Sequence, residues 1–315
     1  MLRYILKRLG VLLVSLLVAS GIIFTMLEVV PGDPASFMLG INAEADTLAA
    51  LRRELGLDQP LWQRYVQWVG GMVTGDFGIS YTYQVPVAEL VMARIWISLP
   101  LALFALLLST LIAIPAGLIA AGRRGRASDW AIMGTTQLGI AIPNFWFAMI
   151  LVSIFAIKLR WISAGGFPGW DQGVFVCIKA LLLPAIALAL PQASILARVM
   201  RSSLLETLSQ DYIRTARAKG LSQRRTVWAH AFRNALIPVL TIIGLQFSFL
   251  IAGAIIIENV FFLPGLGRLI FQGITQRDLI VVESVVMLLV FAVICVTFLV
   301  DIAYVLVDPR LRKPT

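Results

Sequence analysis

The chain has 315 residues, of which 59% are hydrophobic and only 14% carry a charge. This balance excludes an ordinary water-soluble domain and indicates an integral membrane protein. The formal charge of +9 does not indicate nucleic-acid binding, because the basic residues stand in short clusters beside apolar runs instead of forming a patch with interleaved aromatic residues. Two cysteines and one histidine offer neither a disulfide framework nor a histidine cluster for a metal ion.

Six apolar runs are long enough to cross about 30 Å of hydrocarbon, for which a helix needs about 20 residues. They lie at about 9–30, 95–121, 130–157, 178–200, 234–257 and 284–307. The first run follows a basic start like that of a signal peptide, but it is long and lacks a clear small-x-small cleavage site, so we interpret it as a retained span. The sequence therefore predicts an all-α integral membrane protein, with residues 1–315 forming a single transmembrane domain of six helices.

The basic residues indicate the orientation of these spans, because Lys and Arg in short loops are retained in the cytoplasm. Most of them fall on one face: Arg3, Lys7, Arg8, Arg123, Arg124, Arg126, Arg198, Arg201, Arg214, Arg217, Lys219, Arg224, Arg225, Arg233, Arg310, Arg312 and Lys313. Lys158, Arg160 and Lys179 give one outer loop a small positive balance, but the two lysines can snorkel from helix ends. Both termini are therefore predicted to be cytoplasmic.

The segment 31–94, between the first two spans, is predicted to lie outside the cytoplasm and is long enough to fold. Asp46 or Thr47 can cap a helix that continues through Leu55 and stops at Gly56. Apolar residues at helical spacing predict a second helix: Leu61, Tyr65, Trp68, Val69 and Met72. Two interpretations stay open: a lid that only covers the spans, or a docking surface for an extracytoplasmic partner. The candidate contacts for docking are Trp62, Tyr65, Trp68 and Asp76.

Prolines and amides interrupt three of the spans. They are Pro143 and Asn144 in the third, Pro184, Pro191 and Gln192 in the fourth, and Gln246 in the fifth. Because proline removes a backbone donor, the third and fourth spans are predicted to bend and to leave carbonyl groups that must face protein or a water-filled cavity. Asn144, Gln192 and Gln246 are candidates for a translocation pathway, with helix association as the equal alternative.

A polar and basic segment, 201–233, separates the fourth span from the fifth. Apolar residues at three- and four-residue intervals predict one face of a first helix: Leu204, Leu205, Leu208, Tyr212, Ile213 and Ala216. Gly220 is predicted to end this helix in the left-handed conformation, and Ser222 is predicted to cap the next one. Such a projection fits a docking element, although the local pattern also fits a solvated connecting loop.

The sequence contains no motif for catalysis or nucleotide binding. It has no Gly-rich phosphate loop ending in Gly-Lys-Ser/Thr, no HExxH, no GxSxG and no TVGYG. We therefore predict a non-catalytic protein that forms a transmembrane pathway and that depends on a partner for any uphill transport. The alternative is a self-sufficient channel or secondary carrier, although no inverted half-to-half repeat is visible.

Six motifs in one order resemble the permease subunits of bacterial ABC importers in the dipeptide, oligopeptide and nickel group. They are VVPGDPA (29–35), LGLDQPLWQRYVQWVGGMVTGDFGISY (55–81), DYIRTARAKGL (211–221), HAFRNALIPV (230–239), ENVFFLPGLG (258–267) and VDIAYVLVDPRLR (300–312). The general importer signature in the cytosolic loop is Glu-Ala-Ala, three residues, Gly, nine residues and Ile-x-Leu-Pro. Gly220 fits its glycine, whereas Arg214, Thr215 and Ala216 replace Glu-Ala-Ala, and His230, Ala231, Phe232 and Arg233 replace Ile-x-Leu-Pro.

The resemblance implies the fold of a type I ABC importer permease in the bacterial inner membrane. It implies three kinds of partner besides membrane lipid: a second permease, two ATP-binding subunits that hold ATP and Mg²⁺, and an extracytoplasmic substrate-binding protein. No cofactor, metal or nucleic acid is expected on this chain. The loop 201–233 then couples to the ATPases through Asp211, Tyr212, Arg214, Thr215, Ala216, Arg217, Ala218, Lys219, Gly220 and Leu221. Di- or oligopeptides are the favoured cargo, with glutathione or a nickel chelate as alternatives.

Overall fold

The structure is a computed structural model that describes residues 2–29, 33–40 and 44–307, without the side chains of residues 2–4, 223–224 and 303–307. Several residues used for the orientation argument lie outside this description. They are the side chains of Arg3 and Arg224, and the residues Arg310, Arg312 and Lys313.

The described residues form helices joined by short turns, and no β-strand is found among them beyond one isolated bridge between Ile79 and Pro86. The helices are α1 (Leu2–Val29), α2 (Pro34–Leu39), α3 (Ala45–Glu54), α4 (Leu61–Thr74), α5 (Val87–Gly122), α6 (Ala127–Ala141), α7 (Asn144–Leu151), α8 (Val174–Leu208), α9 (Asp211–Ala218), α10 (Gln223–Thr226), α11 (Phe232–Val260), α12 (Leu266–Thr275) and α13 (Leu279–Val307). A π-helix, Val152–Lys158, extends α7, and another, Val227–Ala231, joins α10 to α11. The all-helical prediction is therefore confirmed for this part of the chain.

Five helices in the described ranges are long and apolar enough to cross a membrane: α1, α5, α8, α13, and α11 together with the π-helix before it. The predicted third span is instead divided at Pro143 into α6 and α7, which meet at a bend of 100°. This pair makes a sixth crossing if it is counted as one span. Pro184 and Pro191 have a smaller effect, because both lie inside the continuous helix α8.

Packing divides the chain into two units, which we describe separately: the first comprises Met1–Ser98 and Pro264–Cys295, and the second comprises Leu99–Leu263 and Val296–Thr315. In the first unit α4 packs on α1. The Phe24 and Tyr65 rings meet edge to face with centroids 5.4 Å apart, and Arg64 pairs with Glu28 at 2.6 Å. Two cysteines, Cys177 and Cys295, are free, as expected from the sequence.

In the second unit α8 is the central helix and packs against α6, α7 and α11. An apolar cluster fills the space around its C-terminal half, with Leu196, Met200 and Leu204 nearly inaccessible to solvent. A Cβ at Gly139 would collide with the Ser194 hydroxyl, so α6 approaches α8 closely because this position has no side chain. The apolar cluster around Leu196, Met200 and Leu204 holds the part of α8 that leads into α9.

Candidate functional site

The segment between α8 and α11 contains the predicted helix-turn-helix, but its first helix is shorter than expected. α8 continues to Leu208, and the chain turns at Ser209 and Gln210 before α9 begins at Asp211. The prediction of one helix with Leu208 and Ala216 on a common face is wrong, because the Ser209 hydroxyl donates to a carbonyl of the preceding turn at 2.7 Å and closes α8. α8 therefore includes residues 201–208, and the separate helix of this segment is α9.

Two apolar side chains hold α9 against the rest of the second unit. Ile213 is 1% exposed and belongs to the apolar cluster that joins α8 to α11, and Ala216 is 9% exposed. The Asn234 amide of α11 donates to the Tyr212 hydroxyl at 2.9 Å and adds a polar contact. Ile213 and Tyr212 are therefore the contacts through which α9 is joined to the rest of the second unit.

Gly220 ends this element in the predicted left-handed conformation, with φ of +87°. The Gly220 N–H donates to the Arg217 carbonyl at 2.9 Å, and the Leu221 N–H donates to the Ala216 carbonyl at 3.3 Å. These two bonds form a Schellman motif, which satisfies carbonyl groups left free at a helix end. A Cβ at Gly220 would meet no atom within 4 Å, so the backbone conformation, and not space, favours glycine here.

The outward face of α9 and its turn is basic. The exposed members of the predicted coupling set are Asp211, Tyr212, Arg214, Thr215, Arg217, Ala218, Lys219 and Gly220, while Ala216 is buried and Leu221 is half-buried. Arg214 and Asp211 form a surface pair at 3.5 Å. Ser222 begins the next helix as predicted, because its hydroxyl oxygen accepts the Arg225 N–H at 3.4 Å. The structure thus presents a short, exposed and positively charged surface on α9 and its turn.

The three predicted pathway residues lie on helices that pack together, α7, α8 and α11. Gln246 is 2% exposed and donates from Nε2 to the backbone carbonyl of Gln192 at 2.7 Å. Asn144 is beside Gly253 of α11, where a Cβ would lie 3.6 Å from Asn144 Nδ2. The Oε1 atoms of Gln192 and Gln246 are buried and accept no hydrogen bond from the described residues. One amide therefore links two helices, and two buried acceptors have no donor in the described part of the chain.

The predicted docking residues, three on α4 and Asp76 just after its end, separate into two groups. Tyr65 and Trp68 face α1: the Tyr65 hydroxyl lies 2.8 Å from Ser20 Oγ, and the Trp68 ring centroid lies 6.1 Å from that of Phe24. Trp62 is instead 70% exposed. Asp76 is also exposed, and its carboxylate accepts the N–H of the glycine two residues later at 3.0 Å.

The helix limits in segment 31–94 differ slightly from the prediction. Glu44 precedes α3, so neither Asp46 nor Thr47 is its cap. The predicted stop at Gly56 is confirmed, with φ of +69°. α5 begins at Val87, so the last residues of segment 31–94 already belong to this helix.

Two buried acidic residues were missed from the sequence because their partners are far away in the chain. Asp129 Oδ1 accepts from Arg201 Nε at 2.7 Å and Oδ2 accepts from Arg201 Nη2 at 2.8 Å, across 72 residues. Asp278 accepts from the Ser80 hydroxyl and from the Thr82 N–H at 3.0 Å, across about 200 residues. An acidic residue at the start of an apolar run was the available signal in both cases.

A cavity of about 220 Å³ lies beside α4 in the first unit, and Trp68, Tyr81 and Glu283 are among its lining residues. Burial, together with the nearby Glu283 carboxyl, raises the pKa of Tyr81 to about 12. The Tyr81 phenol is therefore neutral at physiological pH. Within the described ranges no group of three or more His, Cys, Asp or Glu residues is placed to hold a metal ion.

Two family models match the chain. The model for the binding-protein-dependent transport system inner membrane component matches residues 113–313, and the model for the N-terminal region of such membrane components matches residues 1–102. The first match covers more than half of the 315 residues. The chain belongs to this family. The permease is therefore a multi-pass protein of the inner membrane, and the family decides against a channel or carrier that works alone.

Similar proteins agree with this assignment over almost the whole chain. A Brucella abortus (strain 2308) protein, provisionally named as a peptide transport system permease, is 40% identical over 308 residues, which are 98% of each chain. The glutathione transport system permease protein GsiC of Escherichia coli (strain K12) is 36% identical over 312 residues, which are 99% of each chain. The resemblance stated from the sequence motifs is confirmed.

The fold also resembles a solved transporter. A chain of the MetNI methionine ABC transporter, in inward-facing conformations, has a TM-score of 0.59 at 18% identity, over 70% of the permease and 97% of the MetNI chain. At this identity the similarity concerns the fold alone. The prediction of an ABC importer permease fold is confirmed at this coarser level.

Proposed function

We propose that the permease forms the transmembrane pathway of an ATP-driven importer of di- or oligopeptides and is moved by separate ATPase subunits through α9. The observation that carries this proposal is the exposed basic surface of α9, which is anchored by Ile213 and Ala216 and ended by the left-handed Gly220. The permease itself is non-catalytic in this proposal, and ATP and Mg²⁺ are bound by the partner subunits.

The proposed topology has six crossings with both termini in the cytoplasm. It rests on the clustering of arginines and lysines in the loops 123–126 and 198–233. The bent pair of α6 and α7 is counted as the third crossing. Segment 31–94 then lies outside the cytoplasm, and α9 lies on the cytoplasmic side, where ATP is available.

The ATPase cleft is expected to recognise α9 by shape first and by charge second. Arg214 and Arg217 are exposed, and an acidic rim would attract them. Exposed ion pairs contribute at most about 1 kcal/mol each, so no single arginine dominates. Ala218 and Gly220 are exposed and small, which permits close approach of a partner's backbone at the end of α9.

Movement of the ATPases is proposed to reach the pathway through α8 and α11. Ile213 packs into the cluster between these helices, and the Ser203 hydroxyl of α8 donates to the Ala235 carbonyl of α11 at 2.9 Å. A push on α9 therefore moves both helices as packed bodies, as in hinge or shear transitions. Bending at Pro143 in the neighbouring α6 and α7 pair supplies a break at which such a rearrangement can occur.

Asn144, Gln192 and Gln246 are proposed to serve the translocation pathway. A buried amide oxygen without a donor costs about 1–3 kcal/mol, which favours a functional reason for keeping Gln192 and Gln246 at these positions. A peptide carries backbone N–H groups that such oxygens accept. The hydrogen bond from Gln246 to the Gln192 carbonyl keeps the two residues on adjacent helices.

The extracytoplasmic binding protein is proposed to dock on the exposed face of α4. Trp62, Val66 and Val73 are 70%, 60% and 83% exposed and form an apolar strip along this helix. Apolar strips of this kind mark interaction sites. Tyr65 and Trp68, which face α1, hold α4 in position and do not themselves supply the surface. Asp76 is the exposed acidic residue near the end of the strip.

The substrate class is inferred from the relatives. One is named for peptides and one for glutathione, and both kinds of molecule contain peptide-like amides. A nickel chelate is the less favoured cargo. The complete importer is proposed to contain this permease, a second and similar permease, two ATP-binding subunits and the binding protein. Affinity of the purified binding protein for a panel of peptides, glutathione and nickel chelates tests the substrate class.

Reconstitution tests the function. Vesicles that contain only the permease are expected to accumulate no peptide, whereas vesicles with the complete importer and ATP are expected to accumulate it against a gradient. Co-purification from the native membrane is expected to recover ATP-binding subunits. Uphill accumulation by the permease alone would overturn the proposal.

A further inference from the structure

A second group of basic residues lies in the second unit, where the turn between α5 and α6 faces α8. Here a cavity of about 470 Å³ is lined by Arg124, Gly125, Asp129, Trp130, Arg198 and Arg201, together with a methionine of α6. Three arginines and one aspartate give this lining an excess of positive charge. The cavity therefore suits an anion.

Arg201 is held in place for such a role. Its guanidinium forms a two-bond contact with Asp129, which is 4% exposed and whose Oδ2 also accepts the Gly125 N–H at 2.9 Å. Only two of the guanidinium nitrogens take part in that contact, so its remaining N–H donors have no partner among the described residues. Arg201 thus lines the cavity with a fixed orientation and spare donors.

The other two arginines are exposed, and Arg124 acts electrostatically on Asp129. Neither Arg124 nor Arg198 forms an ion pair with any acidic residue in the described part of the chain. Their side chains are on different elements, the α5–α6 turn and α8, and they meet at one cavity. An anion between them would contact donors from both elements.

From its position along α8, this cavity is expected at the level of lipid headgroups. Arg198 is 24 residues beyond Val174, so it lies about 36 Å from the start of α8, which is longer than the roughly 30 Å of hydrocarbon. Trp130 is 74% exposed at the edge of the cavity, and tryptophan is enriched at the membrane interface. Leu138, two turns further along α6, is 63% exposed and continues the apolar surface on which an acyl chain can lie.

We propose that this cavity binds the phosphate headgroup of an anionic phospholipid of the cytoplasmic leaflet. The proposal rests on the topology given under the proposed function, and the ligand is the lipid rather than a free phosphate because Trp130 and Leu138 provide an apolar surface next to the arginines. Basic pockets between transmembrane helices on the cytoplasmic side are suited to such headgroups.

Native mass spectrometry of the purified importer, with added dioleoylphosphatidylglycerol or dioleoylphosphatidylcholine, tests this proposal. The test variant is Arg124→Ala/Arg198→Ala. The matched control is Arg123→Ala/Arg126→Ala, which removes two arginines from the same turn that do not line the cavity. The wild type is expected to retain phosphatidylglycerol in preference to phosphatidylcholine.

Loss of two phosphate contacts is expected to weaken phosphatidylglycerol binding by on the order of 30-fold in the test variant. The control variant is expected to remain within about threefold of the wild type, because overall charge is changed equally in both. Equal affinity in test and control variants, or equal retention of the two lipids by the wild type, would overturn the proposal. If an acidic protein segment occupied the cavity instead of a lipid, these equal results would be expected. Single Arg124→Gln and Arg198→Gln variants repeat the test if the double variant fails to insert.

Discussion

Replacing Gly220 by valine isolates the role of the turn after α9. The native residue has φ of +87°, and an added Cβ would find no atom within 4 Å. A side chain at this position therefore causes no collision with a neighbour. The perturbation acts on the backbone, because an L-residue with a branched Cβ disfavours the left-handed region.

The expected magnitude follows from this geometry. A non-glycine residue in the left-handed conformation costs roughly 1–2 kcal/mol, and a β-branched residue lies at or above the upper end. About 2 kcal/mol corresponds to a change of roughly 30-fold in an equilibrium constant. The equilibrium shifts from the closed turn towards conformations that lack the hydrogen bonds from Gly220 to Arg217 and from Leu221 to Ala216. The end of α9 then frays while the anchor at Ile213 remains.

The assay is substrate-stimulated ATP hydrolysis by the complete importer in vesicles, with the binding protein present. Gly220→Val is expected to lower the stimulated rate several-fold while the amount of permease in the membrane stays normal. Gly220→Asn is the control, because asparagine tolerates positive φ and adds a side chain of similar size. It is expected to retain most of the stimulation.

Two results would refute this reasoning. Normal stimulation in Gly220→Val would show that the closed turn is not needed for coupling. Equal loss in the valine and asparagine variants would show that a partner requires the empty space at residue 220, and that backbone conformation is not the reason for glycine.

Three further predictions concern single side chains. Asp129→Asn removes the charge that compensates Arg201, whose side chain is 26% exposed. We expect the free energy of unfolding to fall by about 2 kcal/mol and the thermal unfolding midpoint to decrease. An unchanged midpoint would contradict the structural importance of this pair. Asp278→Ala leaves the Thr82 N–H without its acceptor. The variant is expected to lower the free energy of unfolding by about 2 kcal/mol and to increase proteolysis near residues 80–82. Unaltered proteolysis would count against this role of Asp278. Trp62→Ser is expected to weaken association of the binding protein at least tenfold without changing basal ATP hydrolysis, and undiminished association would remove Trp62 from the docking surface.

Local features were predictable from the sequence because they depend on neighbouring residues. Long apolar runs exceed what a soluble fold can hide, and this alone indicated the membrane helices. The helix ends at Gly56 and Gly220 were equally visible, since glycine adopts positive φ without a Cβ penalty. The break between Leu208 and Asp211 was not visible in the sequence, because the apolar spacing continues through it while the backbone turns.

The sequence by itself determined that this is a helical membrane protein with a basic segment between α8 and α11, because composition and helix-stop signals act within a few residues. Only the tertiary structure decided that Tyr65 faces α1 while Trp62 faces outward, since periodicity identifies an apolar face without identifying what covers it. The pair of Asp129 and Arg201 was likewise decided by packing, because residues 72 positions apart meet only after α6 and α8 have come together.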